Sequence, residues 1–351
     1  MPLVLLLFTG AAVSLSACFV RNQDADGRVD KISWEFTPQA RSGAFIGHAF
    51  GWLLAEKDRD IFRTRDGGVT WERRPTEILG RFDSICFLDS QTGWGIGKLN
   101  GHGTVWHTVD GGDNWSRIAK LDDPSSDFTF MQSSQVQFTD SLHGWIVETF
   151  TVWRTEDGGG SWVKVWTMRE YGQPGRGSFV GQNGAWISNT DRQVYATQDG
   201  GKTWRKHDLT FTNLTDVFFF NDQVGWVSGS TRGTICNSHD GGETFKSCVT
   251  ELGALINSIA FPTESEGWAA GTTRDSNAKR LSSRGVLLHT TDGGKTWQPY
   301  PMPRDEPLFD RIYFVDQMHG WVTARDHVYV TQDAGKTWRV SLELAPISKG
   351  N

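Results

Sequence analysis

The chain has 351 residues, of which 37% are apolar and 12% aromatic, with 17 Trp and 40 Gly. Helical domains do not spend residues that way, whereas all-β proteins with many tight turns do. The formal net charge of -6 argues against nucleic acid as a partner, because such proteins carry a basic excess.

In chain order, Leu3 to Ala17 comes first, uncharged and mostly apolar. It is shorter than the roughly 20 residues a helix needs to cross a bilayer, and it suits the core of a secretory signal. It ends in Leu15-Ser16-Ala17-Cys18, which resembles the bacterial lipobox, where the signal is cut before the Cys and the thiol takes a lipid. Residues 1–17 are therefore expected to be a lipoprotein signal, Cys18 the lipidation site and 18–30 a short polar tether. Membrane attachment through that lipid is the implied localisation.

The rest of the chain is a repeat. The octet Thr64-Arg65-Asp66-Gly67-Gly68-Val69-Thr70-Trp71 returns at 108–115, 155–162, 197–204, 238–245, 290–297 and 331–338. Its Asp residues, Asp66, Asp110, Asp157, Asp199, Asp240, Asp292 and Asp333, are separated by 44, 47, 42, 41, 52 and 41 positions. A Gly-Trp pair precedes each box, from Gly51-Trp52 to Gly320-Trp321, and the fourth copy reads Gly184-Ala185-Trp186. An apolar run such as Ser84 to Leu88 stands before most of these pairs. One unit thus reads as four short strands: A is the apolar run, B starts at Gly-Trp, C enters the box and D leaves it. Four strands in about 40 residues make a propeller blade. The expected fold is all-β, a seven-bladed β-propeller of four-stranded antiparallel blades over residues 31–351.

The box has a structural rationale. An Asp side chain accepts hydrogen bonds from turn N–H groups, the Gly pair supplies positive φ, and the Trp is large enough to fill the gap between blades. Seven equivalent copies suit a fold device better than a catalytic or Ca²⁺ site. At the start of the ring, Lys31-Ile32-Ser33-Trp34-Glu35-Phe36 resembles a strand D and is expected to add to the last blade, closing the circle; a loose strand packed outside is the alternative.

Cys236 lies four residues before Asp240 and Cys248 eight after it. Folded as a hairpin, the two are expected to face each other as a disulfide, which export permits; two buried thiols are the alternative. Cys86 reads as an unpaired core residue. No C-x-x-C spacing is present, so zinc is not expected; no cofactor is expected either.

In a meander, the A–B and C–D turns lie on one face and the B–C loops and D–A connections on the other. Two insertions fall on that second face. The stretch from Trp268 to Asp292 is 24 residues where other blades use 12 to 16, with the excess near Thr272 to Gly285. The stretch from Trp115 to Trp145 is 30 where others use 22 to 24, with the excess near Lys120 to Gln132. Long loops on a rigid scaffold are where binding resides. The first insertion carries Arg274, Lys279, Arg280 and Arg284; the second carries Asp122, Asp123 and Asp127 with Phe128 and Phe130; a third connection adds Arg169, Tyr171 and Arg176. The basic and aromatic members of the first and third are the candidate partner-binding residues. No G-x-S-x-G or H-E-x-x-H pattern occurs. The carboxylates Asp122, Asp123, Asp127, Asp275, Asp305 and Glu306 leave a glycosidase pair open.

The unit F-x-D-x-x-x-G-W followed by the box resembles the photosystem II stability and assembly factor family. Phe138 to Trp145 and Phe314 to Trp321 are the clearest instances, and the likeness covers Lys31 to Leu344. The resemblance implies a non-enzymatic propeller that binds a membrane protein or a subunit of a protein complex, and the chain is expected to be a monomer. It also implies a lipoprotein-type signal, as in cyanobacterial members, and an Arg patch on one face, to which Arg274 to Arg284 is a loose counterpart. The alternative reading is a glycoside hydrolase, sialidase-like or glycan-binding propeller, since Asp boxes occur there too.

Overall fold

The computed structural model describes residues 40–55, 60–75, 81–121, 134–148, 151–167, 174–230, 233–249, 254–275 and 282–344. They form seven four-stranded antiparallel sheets, each a meander of consecutive strands. The first sheet is Ala40–Ile46, Phe50–Ala55, Asp60–Thr64 and Glu72–Pro75; the last is Phe309–Phe314, Gly320–Ala324, His327–Thr331 and Arg339–Glu343. Strands A to D therefore fall where the Gly-Trp and box marks put them, and the fold is a seven-bladed propeller.

The seventh sheet is complete with C-terminal strands, and residues 31–36 lie outside the described residues. Among the described residues, blades 7 and 1 meet by side chains. Trp321 stacks on Phe45 at 4.2 Å, and Trp71 Nε1 donates to Ser341 Oγ at 2.8 Å.

The core is a set of seven apolar layers between adjacent blades. One layer joins Trp52, Leu54 and Ile61 of blade 1 to Phe82, Ile85, Phe87 and Trp106 of blade 2. The Trp of each Gly-Trp pair is essentially fully buried. It lies against the strand-A Phe of the following blade: Trp52 on Phe87 at 3.8 Å, Trp94 on Phe138 at 3.7 Å, Trp186 on Phe219 at 3.9 Å, Trp226 on Phe261 at 3.5 Å. At these four seams the indole N–H also donates to the first box Gly carbonyl of the next blade, at 2.8 to 2.9 Å. The box Trp joins the same seams, as expected: Trp71 bonds to Ser341 of blade 7, and Trp204 stacks on Trp166 of blade 3 at 5.3 Å. Trp115, Trp162 and Trp297 meet edge-on the Phe of their own blade on which the neighbouring Gly-Trp indole lies flat.

The Gly of the pair has a steric cause. A Cβ on Gly93, Gly225 or Gly267 would sit 2.2 to 2.5 Å from the strand-A Phe of the same blade, so the ring can lie flat only over glycine. Blade 4 places Ala185 opposite Phe179 instead. Phe179 there covers Gly177, 2.7 Å from the position of a Cβ, and the Trp145–Phe179 separation widens to 5.5 Å. Trp145 Nε1 is buried without a hydrogen bond. The carbonyl it would have used, that of Gly200, accepts from Arg154 Nη1 at 3.2 Å.

Candidate binding face

The box face is closed chemistry. In blade 4, Thr197 Oγ1 donates to Asp199 Oδ1 at 2.8 Å and accepts from Gly201 N at 3.0 Å. Thr203 gives its N–H to Asp199 Oδ1 at 2.9 Å and its hydroxyl to Oδ2 at 2.6 Å. All seven boxes share this pattern, with Asn114 or Ser161 in the Thr203 place in two of them. The hydroxyls of Ser161 and Thr203, then their backbone N–H groups, hold Asp157 and Asp199 at about 2. A carboxylate with both oxygens engaged in its own turn is a brace. In each of the seven blades the backbone N–H after the box Asp is tied to the A–B turn of the same blade, for example Gly111 N to Gln91 O at 2.8 Å and Ala334 N to Met318 O at 3.0 Å. A–B and C–D turns therefore share one face.

The opposite face is made by B–C turns and D–A connections, also joined by backbone bonds: Leu209 N to Arg192 O, Gly285 N to Glu306 O and Leu344 N to Asp326 O. Strand A of each blade starts from this face, and its first residues ring the mouth of the central channel. Neighbouring strands there are cross-tied by side chains. Gln135 exchanges two 2.9 Å bonds with the Gly177 backbone, Ile259 N donates to Asp216 Oδ2 at 3.0 Å, and Arg311 Nη1 reaches Asn257 O at 3.4 Å. Burial pushes the Asp216 carboxyl up, and the nearby Arg176 guanidinium pulls the other way. Tyr313 of blade 7 is pushed up by its burial and also feels Arg176. Arg176, from blade 4, thus addresses groups on blades 5 and 7 inside the channel mouth.

A second charged sector spans blades 6 and 7. The insertion expected near Thr272 to Gly285 is largely a continuation of the blade. Strands B and C lengthen to Gly267–Asp275 and Ser282–Thr290 and pair out to Asp275 with Ser282, a projecting hairpin. At its side Arg284 meets Asp305 at 3.1 Å, both largely exposed. Such a pair adds little to stability and leaves its charges available. Beside it Arg304 holds Glu343 at 2.9 Å, and Glu306 accepts from the Tyr329 hydroxyl.

Of the candidate residues, Arg176 lies at the channel mouth and Arg284 on the exposed hairpin, so the structure puts them in two different settings. The side chain of Arg274 and all of Arg169, Tyr171, Lys279 and Arg280 lie outside the described residues, as do Cys18 and the acidic Asp122, Asp123 and Asp127. The register opposes Cys236 to Ser247 and Ile235 to Cys248, and the Cys248 side chain is also outside that set. Cys86, half-buried, has its thiol pushed up to about 11 by burial, which makes it an inert core residue. Sequence reading passed over Arg304, Asp326, His327 and Glu343. The stretches from Trp297 to Trp321 and from Trp321 to Asp333, which hold Arg304, Asp326 and His327, are of ordinary length, so no insertion pointed to them.

A repeat scaffold with one face consumed by its own turns and the other carrying loops and exposed charge defines a binding propeller of the Asp-box class. The family described as photosynthesis system II assembly factor YCF48 matches residues 28–126 and 209–345, and the chain belongs to it. The chain is 25% identical to the chloroplastic photosystem II stability/assembly factor HCF136 of Arabidopsis thaliana, over 92% of this chain and 84% of that one. It is 26% identical to the photosystem II assembly lipoprotein Ycf48 of Synechococcus sp. (strain CC9902), over 84% and 83%. A solved structure of YCF48 bound to a D1 peptide superposes with a TM-score of 0.65 at 23% identity, covering 85% of this chain and 94% of the other.

Proposed function

We propose that this protein is an assembly factor that binds a protein partner, a membrane protein or a subunit of a membrane complex, through the face opposite the boxes. The observation that carries the reading is the contrast between faces within one family member: box carboxylates are spent inside their turns, while Arg176 and the Arg284 hairpin bring charge to the other side. The relatives support the class of partner, since they are photosystem II assembly factors by name and one YCF48 is seen with a D1 peptide. We further propose that the chain is exported and held at a membrane by lipid on Cys18, as the name of the Synechococcus relative suggests, and that it acts as a monomer. Capture from membranes of the native host, using the full chain with Cys18 intact, tests this. A membrane protein or complex subunit is expected to co-purify. Recovery of no protein, together with saturable binding of a glycan, would sink the reading in favour of a glycan-binding propeller.

A further inference from the structure

Packing brings three donor groups to one point on the loop face. Glu306 comes from the connection between blades 6 and 7, Asp326 from the B–C turn of blade 7 and His327 from the first residue of the strand that follows. One donor atom from each lies within 4.8 Å of the others. His327 Nδ1 is 2.8 Å from Asp326 Oδ1 and 3.2 Å from Glu306 Oε1. Close as these are, Nδ1 is buried and makes no aligned hydrogen bond. The nitrogen is turned between two carboxylate oxygens, and a proton on it would point in line at neither.

Glu306 makes the same point independently. It is only 6% exposed, and a buried carboxylate needs a compensating positive charge. Its ion-pair partner among the described residues is His327, cationic only when protonated. The Tyr329 hydroxyl donates to it but brings no charge.

We propose that Glu306, Asp326 and His327 form a site for one first-row divalent cation that fastens the blade 6–7 connection to the B–C hairpin of blade 7. A metal does not require a linear N–H···O; it requires donors around a common centre. Tetrahedral ligation at about 2.0–2.1 Å sets donors about 3.3 Å apart, and the two spacings at His327 Nδ1, 2.8 and 3.2 Å, lie within about half an ångström of that. One imidazole and two carboxylates favour zinc, manganese or ferrous iron over calcium and magnesium, which prefer oxygen alone. Water completes the coordination, since Asp326 is partly exposed.

The surroundings fit. Arg304 Nη1 stands 3.0 Å from His327 Nε2 and 2.9 Å from Glu343 Oε1, and Glu343 is 3.7 Å from Nε2. With Nδ1 ligated, Nε2 carries the proton, half-exposed Arg304 keeps Glu343 alone, and Nε2–H turns to Glu343. A carboxylate behind a metal-bound His is the usual orienting arrangement. Three carboxylates then face one guanidinium, and a divalent cation brings the set to neutrality. No sequence spacing announces the site, because one ligand comes from a different element.

The test is calorimetric titration of the untagged, chelator-treated full chain with zinc chloride and with manganese chloride, with metal analysis after dialysis. One equivalent is expected to bind, with a rise in melting temperature. Asp326→Asn and His327→Ala should abolish both effects, Glu343→Gln should weaken binding by about tenfold, and Asp316→Asn, at the comparable His319 pair elsewhere, should change nothing. Asp326 is partly exposed, so its variant should fold, as circular dichroism will report. Absence of saturable binding of either metal, or binding undiminished in Asp326→Asn, would overturn the proposal.

Discussion

The two faces of this propeller are built by opposite rules. On the box face the seven turns share one hydrogen-bond pattern, with Thr or Ser, Asp and Gly in register. On the loop face the blades differ from one another: blade 6 projects a long hairpin, the connection after it gathers Arg304, Asp305 and Glu306, and the channel mouth mixes Arg176, Asp216 and Arg311. Repetition serves closure, because each blade must fit the next. Departure from repetition leaves side chains such as Arg284 and Asp305 outside the ties between blades, and there recognition has room to evolve.

The largest effect should come from the seam that the box face shares. Trp226 stacks on Phe261 at 3.5 Å and donates to Gly293 O at 2.9 Å. Trp226→Ala should cost about 3–5 kcal/mol in chemical denaturation, while partner affinity of the folded fraction stays unchanged. A loss below about 1 kcal/mol would show that the seams are not where stability lies.

Asp199→Ala, at a single turn, should cost on the order of 1–2 kcal/mol. The pH dependence carries a sign. The Asp199 carboxyl is held at about 2, below its unfolded value of about 3.9. Its contribution is therefore full above about pH 4 and fades as pH falls through about 2. The stability gap between wild type and variant should be constant from neutral pH to about 4.5 and narrow below it. A gap that widened on acidification would contradict the bracing role.

Arg284→Glu on the loop face should reverse the pattern. Stability should move by less than about 0.5 kcal/mol, as for other exposed sites, because the Arg284–Asp305 pair is exposed. Partner affinity, read by titration against the captured protein, should fall by about tenfold, or about 1.4 kcal/mol. Equal loss in stability and binding would erase the distinction between faces.

The blades were legible because their marks are local. Gly67 and Gly68 at positive φ, Thr64 and Asp66 all act within one turn, so spacing alone reveals them. Gly184-Ala185-Trp186 was visible as a departure, but its result was not, since the widened seam depends on where Phe179 goes once a Cβ blocks it. Trp71 and Trp52 look alike in sequence, and only packing shows that Trp52 lies flat on Phe87 while Trp71 bonds to Ser341 across the ring closure.

The candidate site was legible in part. Insertion length drew attention to Arg284, and Arg176 was singled out as a loop residue although it lies on strand A facing the channel. Glu306 stood out only as one carboxylate of six, and His327 carried no mark. The sequence by itself determined the number of blades, their strand order and which face each turn occupies, because those follow from short-range hydrogen bonding repeated seven times. Only the tertiary structure decided which side chains meet at the seams, in the channel and at Glu306, Asp326 and His327, because those contacts join elements that closure of the ring, and nothing nearby in the chain, brings together.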